Sequence, residues 1–166
     1  MLVVDDSTLD KPYATAIALV TRHWSGKHRA VVRGINLVSL LWTDGDRHIP
    51  CDYRIYDKAD ARTKNDHFAD MIRAAYARTF RPRCVVFDGW YGSLDNLKLV
   101  RNCGWTWLTR LKSNRLVNLN RVGTRALKDA VIGAAGTEVW LPGYGLVKVF
   151  GMATPDGGTA RSQCIV

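Results

Sequence analysis

"VVFDGWYGS", Val85 to Ser93, decides how this chain is read. With Cys84 it opens as a short, continuously apolar run, the pattern of a strand buried on both faces of a sheet. The run ends in Asp88. Gly89 then suits a turn, and Ser93 suits the cap of a helix whose Leu94, Leu97 and Val100 (or Leu99) point inward. A carboxylate at the end of a core strand has two roles open to it. It caps the following turn, or it faces the crevice outside the carboxyl ends of the strands, where open α/β sheets gather ligands. For Asp88 alone the cap is the commoner outcome.

Working outward, "KNDHFADMIRAAYARTF" places Phe68, Met71, Ile72, Ala75, Tyr76 and Phe80 at helical spacing. Asn65 or Asp66 serves as its cap, and Pro82 stops it. Before it, "AVVRGINLVSLLW" (Ala30 to Trp42) is a strand, Asp44-Gly45 a hairpin turn, and "IPCDYRIYD" an alternating strand with Tyr53 and Ile55 on one face and Asp52 and Arg54 on the other. "LVVDDSTLDKP" reads as a strand ending in a loop, "ATAIALV" as helix or strand, and "RHWSGKHR" as a polar turn. After the helix that starts at Ser93, "GWTWLTRLKSNR" is a strand, "TRALKDAVIG" a short helix, and "TEVWLPGYGLVKVFGMA" two strands around Pro142-Gly143. The order predicts an α/β fold: a mixed sheet, antiparallel hairpin plus parallel strands, flanked by helices.

The chain has 166 residues, enough for one domain with a real core, and 47 % apolar content excludes a disordered chain. Lys and Arg number 24 against 15 Asp and Glu, a net charge of +9 that favours a polyanionic partner. Glu138 is the lone glutamate. Cys51, Cys84, Cys103 and Cys164 show no metal spacing, and Cys84 and Cys103 read as buried thiols. No signal peptide and no apolar run of membrane length is present, which points to a reducing, cytosolic compartment and no membrane partner.

One consistent arrangement sets the first strand beside the strand ending at Asp88, parallel to it. Asp6 and Asp88 would then stand at matching ends of strands about 4.8 Å apart. Two carboxylates at that spacing repel unless a cation lies between them, and hard oxygen ligands suit Mg²⁺. Asp5 and Asp6 point to opposite faces of their strand, and periodicity does not choose between them.

With these residues in view, the chain resembles a bacterial insertion-sequence transposase of the DDE type, with an RNase H-like catalytic core. "VVDDSTLDKP", "RAVVRGINLVSLLW", "KNDHF", "VVFDGWYGSLDNLKLV" and "WLTRLKSNRLVN" carry the resemblance, in that order, over roughly Val3 to Phe150. It implies that Asp6 and Asp88 are the first and second catalytic acids. It also implies a two-metal site loaded with Mg²⁺ or Mn²⁺, strand cleavage and transfer at element ends, and a homodimer within a synaptic complex on DNA in the bacterial nucleoid. The family's third acid is a Glu on a later helix within a "Y-x-x-R-x-x-x-E" pattern that this sequence lacks; Glu138 falls in a strand-like stretch and reads as solvent-facing. The expectation is a truncated, C-terminally incomplete core, residues 1–150, with a divergent tail, 151–166, and little or no transposition by the chain alone.

Arg110, Lys112 and Arg115 follow a central strand on the edge where Asp88 lies and are candidate DNA-phosphate contacts. Trp90 and Tyr91 either stack on a base or pack beneath the next helix. Arg22, Lys27, His28 and Arg29 form a second basic loop, solvated or non-specifically DNA-binding. Two rival functions remain: an RNase H-like nuclease drawing a third acid such as Asp129, and a non-catalytic nucleic-acid-binding module.

Overall fold

The structure, a computed structural model, describes residues 1–26, 28–152 and 161–165. Two compact units, Met1–Phe80 and Arg81–Val166, make up the chain.

In the first unit β1 (Leu2–Asp10) pairs antiparallel with β3 (Ala30–Thr43), and so does β2 (Thr21–Ser25). β4 (His48–Tyr56) returns along β3 through the hairpin at Asp44-Gly45, where Gly45 takes φ +116°. That positive φ is open to Gly at no steric cost. Alternation puts Leu2, Val4, Val38 and Leu40 on one sheet face, all buried, and α1 (Lys64–Ala77) contributes Phe68, Met71, Ile72 and Ala75 to the same core. Each of these side chains larger than Ala75 contributes roughly 1.5–3 kcal/mol on burial.

Several expectations are corrected here. The α1 cap is Thr63, not Asn65 or Asp66: the Thr63 hydroxyl accepts from the Asp66 amide while the Asp66 carboxylate accepts from the Thr63 amide. That capping box satisfies two amides at once, which a single cap does not. The helix ends at Ala77, well before Pro82, and Thr79 follows at φ 62°. Residues 14–20 form turns rather than helix or strand, because only Val20 of that stretch is buried. The "polar turn" of Arg22 to Ser25 is strand β2, with His23 and Ser25 buried and Arg22 and Trp24 outward, so its alternation carries polar residues to the covered face. β4 does the same. Tyr53 and Ile55 are exposed while Asp52 and Arg54 take the more covered face, paired at 2.9 Å.

In the second unit β5 (Cys84–Phe87) leads through a 3₁₀ turn, Gly89–Tyr91, into α2 (Leu94–Asn102), capped by Ser93. α2 returns the chain to β6 (Thr106–Arg110), which lies parallel to β5 with Phe87 opposite Thr109. A small ribbon follows, β7 (Leu116–Val117) with β8 (Arg125–Ala126). β9 (Thr137–Leu141) and β10 (Gly145–Met152) form the hairpin around Pro142-Gly143. β11 (Arg161–Ile165) lies antiparallel between β10 and β6, so a strand occupies sequence assigned to the divergent tail. The sheet of this unit is therefore mixed, and the chain as a whole is α/β. The short helix expected at "TRALKDAVIG" is one 3₁₀ turn, Leu127–Asp129. The Leu127 and Lys128 amides donate instead to Arg115 and Ser113, tying the segment to the loop after β6. Trp107 anchors the core, fully buried, and its indole N–H donates to the Tyr144 hydroxyl at 2.8 Å. Cys51, Cys84 and Cys103 are half-buried, so Cys84 and Cys103 are less covered than the buried thiols expected of them, and burial pushes the pKa of the Cys84 thiol upward. Among the described residues no helix is long and apolar enough to cross a membrane.

Candidate active site

β1 does not end at its acids but runs on to Asp10, so Asp6 sits mid-strand. Its alternation separates the two candidates that periodicity left open: Asp5 is exposed, whereas Asp6 shares the covered face with Leu2 and Val4. There the Asp6 carboxylate is held by two side chains from other elements. The Lys64 ammonium, at the first position of α1, ion-pairs with its Oδ2; the two side chains are 19 % and 23 % exposed. The Asn36 amide on β3, itself 1 % exposed, donates to the same Oδ2 at 3.2 Å and also lies 3.4 Å from the Ser7 carbonyl and the Thr8 hydroxyl.

Three rings complete the surroundings. The Lys64 ammonium lies 5.6 Å from the centroid of Tyr56, which makes edge contacts with both His23 and His67. Burial lowers the pKa of His23, helped by the positive charges of Lys58 and Lys64 and opposed by Asp6. Burial likewise lowers that of His67, helped by Arg62 and Arg54. Both rings are thus held neutral near pH 7.

In the second unit Asp88 follows the carboxyl end of β5 and is exposed. Its Oδ1 accepts from the Trp90 amide at 3.1 Å, so the cap role is real. Among the described residues the cap bond engages Oδ1. Because Phe87 stands opposite Thr109, Asp88 and Arg110 come at the same edge of two parallel strands. The approach is close: a Cβ on Gly89 would lie 2.4 Å from the Arg110 carbonyl oxygen. Arg110 and Lys112 are exposed, and the Lys112 ammonium lies 5.8 Å from the Trp90 ring centroid. Trp90 is 61 % exposed.

Not every expected contact residue reaches this edge. Tyr91 is fully buried in the core, so its ring presents no face to a base, and its carbonyl accepts from the Asn96 side-chain amide of α2 at 3.0 Å. Arg115 is half-buried, its backbone bonded to Lys112 on one side and Leu127 on the other. In the first unit, Arg22 lies on β2, and His28 pairs with Asp10 at 2.6 Å. Glu138 is exposed on β9 opposite Lys148, as expected of a solvent-facing strand residue, and Asp129 is exposed. Among the described residues no three His, Cys, Asp or Glu side chains come together as a metal site.

The chemistry of the two acids nevertheless suits a hard divalent ion. Mg²⁺ takes oxygen ligands, often only one or two carboxylates, and keeps waters for a phosphate to displace. Asp6 already balances its charge against a cation on a largely covered face, and Asp88 offers an oxygen at a strand's carboxyl end. Neither Lys64 nor Asn36 was singled out from sequence. A signal existed for Asn36, a lone amide in the apolar run "GINLV".

Comparison with known proteins bears on this geometry. Residues 1–128 match the model of a family described as DDE superfamily endonuclease. Among solved structures, the chain is similar to a piggyBac transposase, from a cryo-EM structure of its synaptic complex with hairpin DNA, with TM-score 0.56 and 12 % identity. The match covers 98 % of this chain but 32 % of that one, so the chain spans about a third of the transposase. At that identity the likeness is one of fold. None of the curated proteins matches.

Proposed function

Since the chain belongs to the DDE superfamily endonucleases, by a match over residues 1–128, we propose that it is the catalytic-core portion of an insertion-sequence transposase acting on DNA through a divalent ion held by Asp6 and Asp88. The ion, Mg²⁺ or Mn²⁺, would supply Lewis acidity at the scissile phosphate. The protein's own groups do the rest. Asn36 fixes the rotamer of Asp6, and the cap bond fixes Asp88. Arg110 and Lys112 bind backbone phosphates beside Asp88, and Trp90 offers an open ring face to an unstacked base. Element ends and a target duplex are the substrates, a homodimer is the assembly that synapses two ends, and the bacterial nucleoid is the place of action.

The observation that supports this best is the state of Asp6: a carboxylate set into the covered face of β1, already balanced by a cation. With two acids rather than three in hand, metal binding is a better readout than turnover, and cutting by the chain alone is expected to be weak or absent. Titration with Mn²⁺, followed by the electron paramagnetic resonance of the free ion, should show binding that D6N and D88N each abolish while the far-ultraviolet circular dichroism stays unchanged. Binding indifferent to both substitutions refutes the assignment.

The net charge of +9 and the exposed Arg110, Lys112 and Trp90 favour one second reading, a nucleic-acid-binding module without catalysis. It requires salt-sensitive DNA binding that neither substitution nor chelation of the ion alters.

A further inference from the structure

The "KNDHF" block has no part in the function as developed so far, yet its first residue reaches the proposed metal ligand. We propose that Lys64 is a built-in counter-cation for Asp6, one that a divalent ion must displace, so that metal loading of this chain is a cation exchange. This rests on Asp6 being a metal ligand.

Four observations converge on it. The Lys64 ammonium and the Asn36 amide meet at one oxygen, Asp6 Oδ2, from two different elements. An ammonium and a divalent ion on the same carboxylate repel strongly when both are largely withdrawn from water, so the two compete for it. The backbone of Lys64 is fixed independently: it is the first residue of α1, and the Thr63–Asp66 capping box holds that turn whatever the side chain does. Displacement therefore swings a flexible four-carbon arm and leaves the helix in place. The arm has a second resting surface, the Tyr56 ring 5.6 Å from the ammonium, which the imidazoles of His23 and His67 flank. With burial holding both rings neutral, they set no positive charge against the displaced ammonium there.

The exchange has a functional consequence. Without metal, Lys64 spares Asp6 the cost of an unbalanced charge on a covered face. With metal, the freed ammonium is a cation beside the reacting centre, suited to a substrate phosphate. An ammonium occupying the carboxylate about nine-tenths of the time weakens apparent metal affinity about tenfold, since only the uncovered fraction is competent to bind.

The test is Mn²⁺ titration of the full chain carrying K64M, K64R, D6N or K64M/D6N, read by the resonance signal of free Mn²⁺ and, separately, by the shift in melting temperature on adding Mg²⁺. K64M keeps the apolar stem and removes the charge; it should bind Mn²⁺ about tenfold tighter and show a larger Mg²⁺-induced shift, whereas K64R should behave as wild type. Both D6N chains should lose the site. If K64M binds no tighter than wild type while D6N still removes binding, the exchange is refuted and the ligand assignment stands. If D6N leaves binding unchanged in both backgrounds, the ligand assignment falls and takes the exchange with it.

Discussion

Replacing Gly89 with Ala probes the contact on which the Asp88 edge is built. The added Cβ would lie 2.4 Å from the Arg110 carbonyl oxygen, against 3.4 Å or more for ordinary contact, and the obstructing atom is backbone. About 1 Å of relief must therefore come from moving the 3₁₀ turn or the end of β6. Overpacking of that kind costs about 1–3 kcal/mol. The substitution also stiffens the unfolded chain, which works the other way by about 0.4–1 kcal/mol. The clash wins. For a chain of this length each kcal/mol is worth about 2–4 °C, so the melting temperature should fall by roughly 2–8 °C. Gly26 is the control: a Cβ there meets nothing within 4 Å and its φ is not positive, so Gly26→Ala should be neutral or slightly stabilising. Differential scanning calorimetry reads both. Because the displaced turn carries Asp88 and Trp90, Mn²⁺ binding should weaken in parallel. A Gly89→Ala chain that melts at or above the wild-type temperature would show that unfolded-state entropy dominates, and that β5 and β6 do not close on each other as described.

Thr63→Ala removes one half of the capping box on α1 and should cost about 1 kcal/mol, measured by urea unfolding. His67 gives a pH dependence: burial first, then the charges of Arg62 and Arg54, hold its folded pKa below the ordinary histidine value of about 6.5, and Asp70 and Asp66 only partly offset them. Its neutral form therefore contributes stability that is fully present above about pH 6.5 and is lost as the pH falls toward the folded pKa. Urea midpoints should drop as the pH falls below about 6.5, and His67→Gln should flatten that slope. The double substitution of Arg110 and Lys112 to Glu should weaken duplex binding and reduce the slope of log K against log salt by about 2, one phosphate contact for each lost cation, in fluorescence anisotropy.

Much of the fold was legible along the chain because its signals are local. The apolar run ending at Asp88, the Asp44-Gly45 turn, the 3.6-residue spacing through Phe68, Met71 and Ile72, and the Ser93 cap each act within a few residues, and each stands in the structure where periodicity puts it. The errors fall where local signals were weak or misleading. β2 was missed because its covered residues are His23 and Ser25. Hydrophobic alternation cannot reveal a strand or a face whose buried side chains are polar.

By itself the sequence determined the α/β class, the order of the principal elements, the basic surface and, through the run of motifs, the family. The tertiary structure alone decided which of two adjacent aspartates is covered, which of two adjacent aromatics stays open, and which lysine, 58 residues further along the chain, balances Asp6. These are questions of which face a side chain takes and what meets it there, and they are settled by pairing between segments remote in sequence, which no local period encodes.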